Sequence, residues 1–251
     1  MTPKLTSAVD ATPIRVVIVT LDAHLSSVID RARASLKREL PGLTLTLHAA
    51  TDWQDPDVFD ACAADIGQAD IVISTMIFLE DQIEALKPVL AARREACDAM
   101  IGCLAEGAIV KTTKLGKFRM DEPTSGPMAL LKRLRGNKKP GQPAGAQQLA
   151  MLKRLPQILK FIPGKAQDVR AYFLCLQYWL SGSEDNIANM IRMLIDRYAD
   201  GPRARLRGKL KVASPVDYPE TGVYHPSIAE RITERANRLP MRGAKGTVGL
   251  I

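Results

Sequence analysis

The first hundred residues alternate between buried-strand and amphipathic-helix patterns, and this alternation constrains the fold more than any other feature. Continuous apolar runs at residues 14–21 and 69–78 predict two central strands that are buried on both faces. The strictly alternating residues 43–47 predict a strand near a sheet edge, and residues 99–104 a further short strand. Helical patterns separate these strands, at residues 25–40, 55–66 and 80–97. Such spacing predicts right-handed βαβ units and therefore an α/β fold, a flavodoxin-like or Rossmann-like open parallel sheet covered by helices.

The composition is that of an ordinary soluble globular protein, since 46% of the 251 residues are hydrophobic and 25% are charged. Those proportions exclude a disordered, collagenous or disulfide-scaffold chain. The longest apolar runs extend over about nine residues, far short of the roughly 20 that span a bilayer. Residues 1–13 show no apolar signal-peptide core, so we expect a cytoplasmic protein without a transmembrane segment. The cysteines lack zinc-ligand spacing and are expected to be reduced structural thiols: Cys62, Cys97, Cys103 and Cys175.

The charge of the chain divides it into segments of different character. Residues 1–107, the predicted α/β domain, carry nine Lys or Arg against sixteen Asp or Glu. Residues 108–145 are basic and punctuated by Pro and Gly, which predicts an exposed excursion. Residues 146–240 are predicted to be mainly helical, and residues 241–251 to open a further α/β unit that is cut short. The helices expected in the helical segment lie at residues 147–161, 165–181, 184–198 and 228–239.

No nucleotide-binding fingerprint is present in the sequence. Gly102 and Gly107 have the spacing of a P-loop, as do Gly136 and Gly141. Neither pair is followed by the Lys and Ser or Thr that reach phosphate and Mg²⁺. We therefore expect neither ATP hydrolysis nor dinucleotide binding by this chain itself.

Polar residues follow the predicted strands at the edge where open parallel sheets bind ligands. They form either a polar pocket or a carboxylate cluster for a hard cation, or they cap the helices that follow, and capping is the favoured interpretation. His225 lies in a turn rich in Pro, Gly and Tyr, where a hydrogen-bonded packing residue is favoured over a ligand or acid–base group. The candidate binding residues are Asp22, His24, Thr75, Glu80, Asp81, Glu106 and His225. Thr20 and Ser74 also lie at the predicted strand ends.

A basic patch occupies residues 111–139 and faces only Asp121 and Glu122 within that segment. It could attract nucleic acid, an anionic cofactor or an acidic partner, or be plain solvated surface. Docking on the acidic first hundred residues is the interpretation that neutralises both blocks. The patch consists of nine cations: Lys111, Lys114, Lys117, Arg119, Lys132, Arg133, Arg135, Lys138 and Lys139.

Five segments together resemble the N-terminal region of the large subunit of magnesium chelatase, and more weakly that of cobalt chelatase. The run VKTTKLGKFRM at residues 110–120 is the most specific of them. The others are FLEDQIE at 78–84, IGC at 101–103, FIPGK at 161–165 and GVYHP at 222–226. The likeness covers nearly the whole chain, which would be roughly the first fifth of such a large chain.

The resemblance implies a nitrogen–metal ligase that works as a multi-subunit complex in chlorophyll or bacteriochlorophyll biosynthesis. Such a large subunit binds protoporphyrin IX, into which Mg²⁺ is inserted, while an AAA+ ATPase subunit and a third subunit complete the complex. The family residues that insert the metal are expected beyond residue 251, so no catalytic or metal-binding residue is assigned here. The fragment is expected to act as a scaffold or porphyrin-enclosing region, to contact the remainder of the large subunit, and to bind no nucleic acid.

Two other interpretations stay open at this point. The chain could belong to a cobalt chelatase large subunit that acts on a corrin precursor in cobalamin biosynthesis. It could also be a stand-alone flavodoxin-like binding or regulatory module, which would require Ile251 to be a true terminus.

Overall fold

The computed structural model describes residues 11–122, 154–217, 222–225 and 232–235. The chain divides into two compact units, the first reaching Pro215 and the second beginning at Val216. Described residues of the second unit form one small antiparallel pair, β7 (Val223–Tyr224) with β8 (Ile232–Thr233). The helix expected at residues 228–239 is wrong at Ile232 and Thr233, because these β-branched residues pair with the apolar Val223–Tyr224 instead. The predicted domain at 241–251 lies outside the described residues.

A six-stranded sheet forms the centre of the first unit, in the order β2-β1-β3-β4-β5-β6. The first four strands are parallel, and the last two add an antiparallel hairpin at one edge. This mostly parallel sheet confirms the predicted α/β class, and β2 occupies the edge that its alternating pattern indicated. The strands are β1 (Ile14–Thr20), β2 (Leu43–Ala49), β3 (Ile71–Thr75), β4 (Ala99–Cys103), β5 (Lys114–Leu115) and β6 (Phe118–Arg119).

Two of the helices begin at residues that the sequence marks as caps. The Asp55 side chain accepts a hydrogen bond from the Asp57 N–H at the start of the second helix, and Ser183 accepts one from Asn186 at the start of the last. Of the helix predicted at 147–161, residues 154–159 are described and helical. In chain order, the α-helices with described bounds are α1 (Ser26–Glu39), α2 (Pro56–Gln68), α3 (Glu80–Arg93), α4 (Gly107–Val110), α5 (Lys165–Ser181) and α6 (Glu184–Tyr198).

Two hydrophobic cores sandwich the sheet because its strands are apolar on both faces. On β1, Val16 and Ile18 pack into the core shared with α1, α5 and α6. Val17 and Val19 point the other way, into the core shared with α2 and α3. The four cysteines are free and buried, as predicted.

The structure differs from the sequence prediction at residues 108–119, which were expected to be an exposed excursion. They form α4 and the β5–β6 hairpin, and Leu115 and Phe118 are fully buried against the sheet. Burying these two side chains outweighs the exposure that their charged neighbours favour. The rest of the predicted excursion, residues 123–145, lies outside the described residues, so the proposed domain boundaries stay a prediction.

Candidate functional site

The carboxyl edge of the parallel sheet contains the topological switch point of the fold. The helix that follows β1 covers one face of the sheet, and the helix that follows β3 covers the other. Because β1 and β3 are neighbours, their two connections diverge and leave a crevice between them. Open α/β sheets bind ligands at this point, so the residues around it form the candidate site.

Polar groups are buried there without compensating hydrogen bonds. Thr20 and Ser74, at the ends of β1 and β3, are fully buried, and Gln82 in the first turn of α3 is 6% exposed. Among the described residues, the hydroxyls of Thr20 and Ser74 and the Gln82 Oε1 have no hydrogen-bond partner. Thr75, at the end of β3, is also fully buried, and its hydroxyl likewise has no hydrogen-bond partner among the described residues. Uncompensated polar groups destabilise a fold, and they mark positions whose side chains are expected to serve a ligand or ordered water.

The loops that leave β3 and β4 hold a strained backbone. Met76 (φ 59°) and Leu104 (φ 48°) both occupy the left-handed region, although neither is glycine. The Met76 N–H donates to the Leu104 carbonyl at 3.0 Å, which fastens the two loops to each other. Directly after this turn, Phe78 and Leu79 are 52% and 53% exposed. Backbone strain of about 1–3 kcal/mol per residue tends to persist at functional loops. We therefore include Phe78 and Leu79, the apolar tip of this loop, in the candidate site.

Asp22 and His24 form a local pair in the loop between β1 and α1. The His24 imidazole contacts the Asp22 carboxylate, and the His24 backbone N–H donates to the same carboxylate at 3.0 Å. These two hydrogen bonds, the backbone one first, lower the pKa of Asp22. Both side chains are about half exposed, so the pair lies at the protein surface beyond the carboxyl end of β1.

The acidic candidates occupy helix starts. Glu80 and Asp81 are exposed in the first turn of α3, and the Glu106 carboxylate accepts a hydrogen bond from the Ala108 N–H at the start of α4. Glu106 therefore acts as a cap, whereas Glu80 and Asp81 form no cap hydrogen bond and only occupy the helix start, where acidic side chains suit the helix dipole. No three His, Cys, Asp or Glu residues within the described ranges are grouped so that they could hold a metal ion. His225 belongs to the second unit, where it follows β7 and is partly buried.

Two of the four described cations of the basic patch, Lys114 and Arg119, contact the residues that follow α3. Lys114 Nζ donates to the carbonyls of Arg94, Glu95 and Cys97 at 2.8–3.0 Å. Arg119 donates two hydrogen bonds, of 2.6 and 2.9 Å, to the Glu95 carboxylate. Of these contacts, only that of Arg119 joins the patch to an acidic side chain of residues 1–107, so docking of the patch stays a prediction. Lys111 and Lys117 are exposed, whereas Lys132, Arg133, Arg135, Lys138 and Lys139 lie outside the described residues.

Replacing Glu95 by glutamine tests this docking. We expect a loss of up to about 1 kcal/mol in the free energy of unfolding, because the pair with Arg119 is largely exposed. The hydrogen bonds from Arg119 lower the pKa of Glu95, so its contribution is present above its unfolded pKa of about 4 and is lost as the pH falls below it. Urea titration at low and high salt measures the effect, which salt should reduce.

Glu84→Gln is the matched control, since Glu84 is exposed on α3 and carries no ion pair in the described structure. An equal loss in both variants, or a loss in Glu95→Gln that salt does not change, would contradict docking through this pair.

Sequence reasoning located the polar strand ends but missed Gln82, Met76 and Leu104. Nothing local marks the last two, because left-handed backbone is usually signalled by Gly or Asn. The one available signal was the apolar pair Phe78 and Leu79 placed between a buried strand and an acidic helix start.

The chain matches two family models. Residues 15–173 match DUF3479, a domain of unknown function, and residues 176–251 match CobN/Magnesium Chelatase. No described helix is both long enough and apolar enough to cross a membrane.

Similar proteins are named as components of magnesium chelatase. The magnesium-chelatase H subunit of Cereibacter sphaeroides is 48% identical over 238 residues, which are 94% of this chain and 20% of the relative. The H subunit of Rhodobacter capsulatus is 44% identical over the same shares. The chloroplastic ChlH subunit of Oryza sativa subsp. japonica is 28% identical over 85% of this chain and 15% of the relative. The chain thus spans about one fifth of the length of the curated relatives it matches most strongly, and the resemblance seen in its sequence is confirmed.

Proposed function

Because the chain belongs to the family of magnesium chelatase H subunits, with its DUF3479 domain at residues 15–173, we propose that it is the N-terminal region of a porphyrin-binding large subunit. That subunit binds protoporphyrin IX and takes part in the ATP-dependent insertion of Mg²⁺ during chlorophyll or bacteriochlorophyll biosynthesis. Mg²⁺ is a substrate of this reaction. The proposed partners are the remainder of the large subunit, an AAA+ ATPase subunit and the third chelatase subunit, in the cytoplasm.

The observation that carries this proposal is 48% identity along 94% of the chain. A likeness of that extent includes the strands, the strained loops and the hairpin of the first unit. The magnesium enzyme is favoured over cobalt chelatase because the three relatives described above are all named as magnesium chelatase subunits.

We infer that the region itself serves as a scaffold that helps to enclose the porphyrin. The apolar tip formed by Phe78 and Leu79 is the surface of the first unit that best suits a flat apolar macrocycle, since it is exposed on a loop that backbone hydrogen bonds join to the loop after β4. The P-loop spacing at Gly102 lacks its phosphate-binding residues, and Glu106 is engaged in capping. Both observations support a division of labour in which ATP hydrolysis and metal insertion take place elsewhere in the complex.

The test uses the large subunit that carries this chain, reconstituted with the two partner subunits, ATP, Mg²⁺ and protoporphyrin IX. We expect formation of magnesium protoporphyrin, and no product from Co²⁺ with a corrin precursor. The purified 251-residue chain alone should release no phosphate from ATP. Product from the corrin arm alone would favour the cobalt enzyme, and no product from either would contradict the proposal.

The enclosing role has its own variant, Phe78→Ala with Leu79→Ala. We expect roughly tenfold weaker protoporphyrin binding by fluorescence quenching, because truncating two half-exposed apolar side chains removes about 1–2 kcal/mol of contact. Phe161→Ala is the control, since Phe161 is 84% exposed in a different segment of the first unit. Unchanged affinity in the double variant would leave the region as scaffold only.

A further inference from the structure

A second cleft, of about 320 Å³, lies between α5, α6 and the extended segment that ends the first unit. Two arginines line it, Arg170 from α5 and Arg197 from α6, and both are half-buried. Tyr178 and Asp196 contribute polar groups to the wall, and Ser214 lies at the exposed rim. The remaining wall is mostly apolar. A cleft of this size accepts a small ligand, so the state of its two cations decides what it can bind.

Neither arginine has an acidic partner within the described ranges. Arg170 Nε donates to the Pro156 carbonyl at 2.9 Å, and its other N–H groups form no hydrogen bond there. Arg197 forms none with its guanidinium in the described structure, although each guanidinium carries five donors. The nearest acidic wall residue, Asp196, instead accepts the Leu210 N–H at 2.9 Å. Tyr178 donates its hydroxyl proton to the Ala213 carbonyl.

Several other arginines of the same unit are paired with carboxylates. Arg192, one turn earlier on α6, binds Glu39 at 2.7 Å, and Arg203 binds Asp98 through two hydrogen bonds of 2.9 Å. Arg31 pairs with Glu184 across α1 and α6. Arg170 and Arg197 differ from these paired arginines in sharing one cleft while neither forms an ion pair with a described carboxylate, although Asp196 also lines that cleft.

Two like charges in one half-buried cleft repel each other and favour an anion. Burial, and then the charge of Arg197, lowers the pKa of Arg170, as expected for cations that are close and not neutralised. Guanidinium groups recognise carboxylate and phosphate through paired N–H donors, which match two oxygens of the same group.

We propose that this cleft is an oxyanion site in which Arg170 and Arg197 together bind a carboxylate or phosphate group. The unused N–H donors of both side chains are available to the ligand, and their half-buried position makes charged hydrogen bonds stronger than in bulk water. The site does not depend on porphyrin binding, because the carboxyl edge of the sheet is built from other residues.

The experiment measures the thermal midpoint of the purified chain in inorganic phosphate against sodium chloride of equal ionic strength. We expect phosphate to raise the midpoint by about 2 °C or more through preferential binding to the folded state. Arg170→Gln and Arg197→Gln should each weaken phosphate binding roughly tenfold, the loss expected when charged hydrogen bonds are removed. In low salt without phosphate, Arg197→Gln should not melt below the wild type, because it relieves repulsion, whereas Arg170→Gln also loses the hydrogen bond to the Pro156 carbonyl.

Arg31→Gln is the control, since Arg31 is exposed and already paired, and its phosphate response should equal that of the wild type. No phosphate response in the wild type would overturn the proposal. Variants that melt early yet keep the full response would overturn it as well, since the arginines would then be structural.

The same titration of the full large subunit identifies the source of the anion. A phosphate response there indicates a free small-molecule anion. No response there, together with a response of the 251-residue chain, indicates that a carboxylate from the rest of the large subunit occupies the cleft. Both results support the oxyanion site, and neither involves chelatase activity.

Discussion

Replacing Gly102 by alanine is expected to destabilise the first unit by about 3 kcal/mol, the upper part of the range for overpacked cores. A Cβ at this position would lie 2.1 Å from the Ile109 carbonyl oxygen and 2.7 Å from its carbon. Both are backbone atoms of α4, so no side-chain rotation can relieve the overlap. The helix that follows β4 would have to move away from the sheet.

Gly102 is also a junction of hydrogen bonds that join distant parts of the unit. The Thr113 hydroxyl accepts from the Gly102 N–H at 3.0 Å and lies 3.2 Å from its carbonyl oxygen, to which it also donates. Tyr172, on α5, donates its hydroxyl to the same carbonyl at 3.4 Å. A movement of α4 away from β4, or of β4 itself, therefore also strains the hydrogen bonds from Gly102 to Thr113 and Tyr172.

Gly67→Ala is the matched control, because a Cβ on Gly67 in α2 meets no atom within 4 Å. Alanine favours helix more than glycine does, so this variant should gain about 0.5 kcal/mol or more. The free energies of unfolding of both variants, from urea titration followed by circular dichroism, give the comparison. A loss of less than about 1 kcal/mol in Gly102→Ala would contradict the close approach of α4 to β4.

The parallel sheet was predictable because its information is local. Uninterrupted β-branched runs can be buried on both faces only inside a helix-covered sheet, and Asp55 and Ser183 mark helix starts through their own hydrogen bonds. The switch point followed from the same pattern, since carboxyl ends of parallel strands share one edge. Thr75 could thus be placed in the site from sequence alone.

The β5–β6 hairpin was not predictable, because distant contacts determine it. Only Leu115 and Phe118 are apolar within a run of cations, which locally resembles an exposed loop. The turn between them is held by Asp168, fifty-one residues after Lys117, whose backbone N–H donates to that carboxylate at 3.0 Å. Gly116 adopts a left-handed φ of +53° in this turn, and a Cβ there would meet the same carboxylate at 2.9 Å. A contact between residues so far apart in the chain produces no pattern in the hairpin sequence from which the hairpin could be predicted.

High pH is expected to unfold the first unit through its buried thiols and tyrosines. Burial raises the pKa of Cys62 and of Cys103 to about 12, and that of Tyr178 to about 12. Burial also raises the pKa of four more groups: Cys97, Cys175, Tyr172 and Tyr198. In Tyr198, the negative charge of Asp168 raises the pKa further.

The sign of the effect follows from proton linkage. These groups stay protonated in the folded state while the unfolded thiols ionise from about pH 9 and the phenols from about pH 10. Stability is therefore full below pH 9 and is lost as the pH rises, by up to about 1.4 kcal/mol per pH unit for each group ionised in the unfolded chain. Seven such groups exhaust a typical stability of 5–15 kcal/mol, so we expect unfolding between about pH 10 and 11.

Far-ultraviolet circular dichroism and thiolate absorbance, followed together under reducing conditions, check this expectation. The two signals should change in one transition, because the thiols become ionised only when the chain opens. Cys62→Ala should move the midpoint upward by removing one group, whereas Tyr224→Phe should not, since Tyr224 is 63% exposed. Thiolate absorbance that grows near pH 9 while the circular dichroism is unchanged would show that solvent reaches these cysteines in the folded chain, and the packing of α5 against β4 around Cys103 and Cys175 would then be wrong.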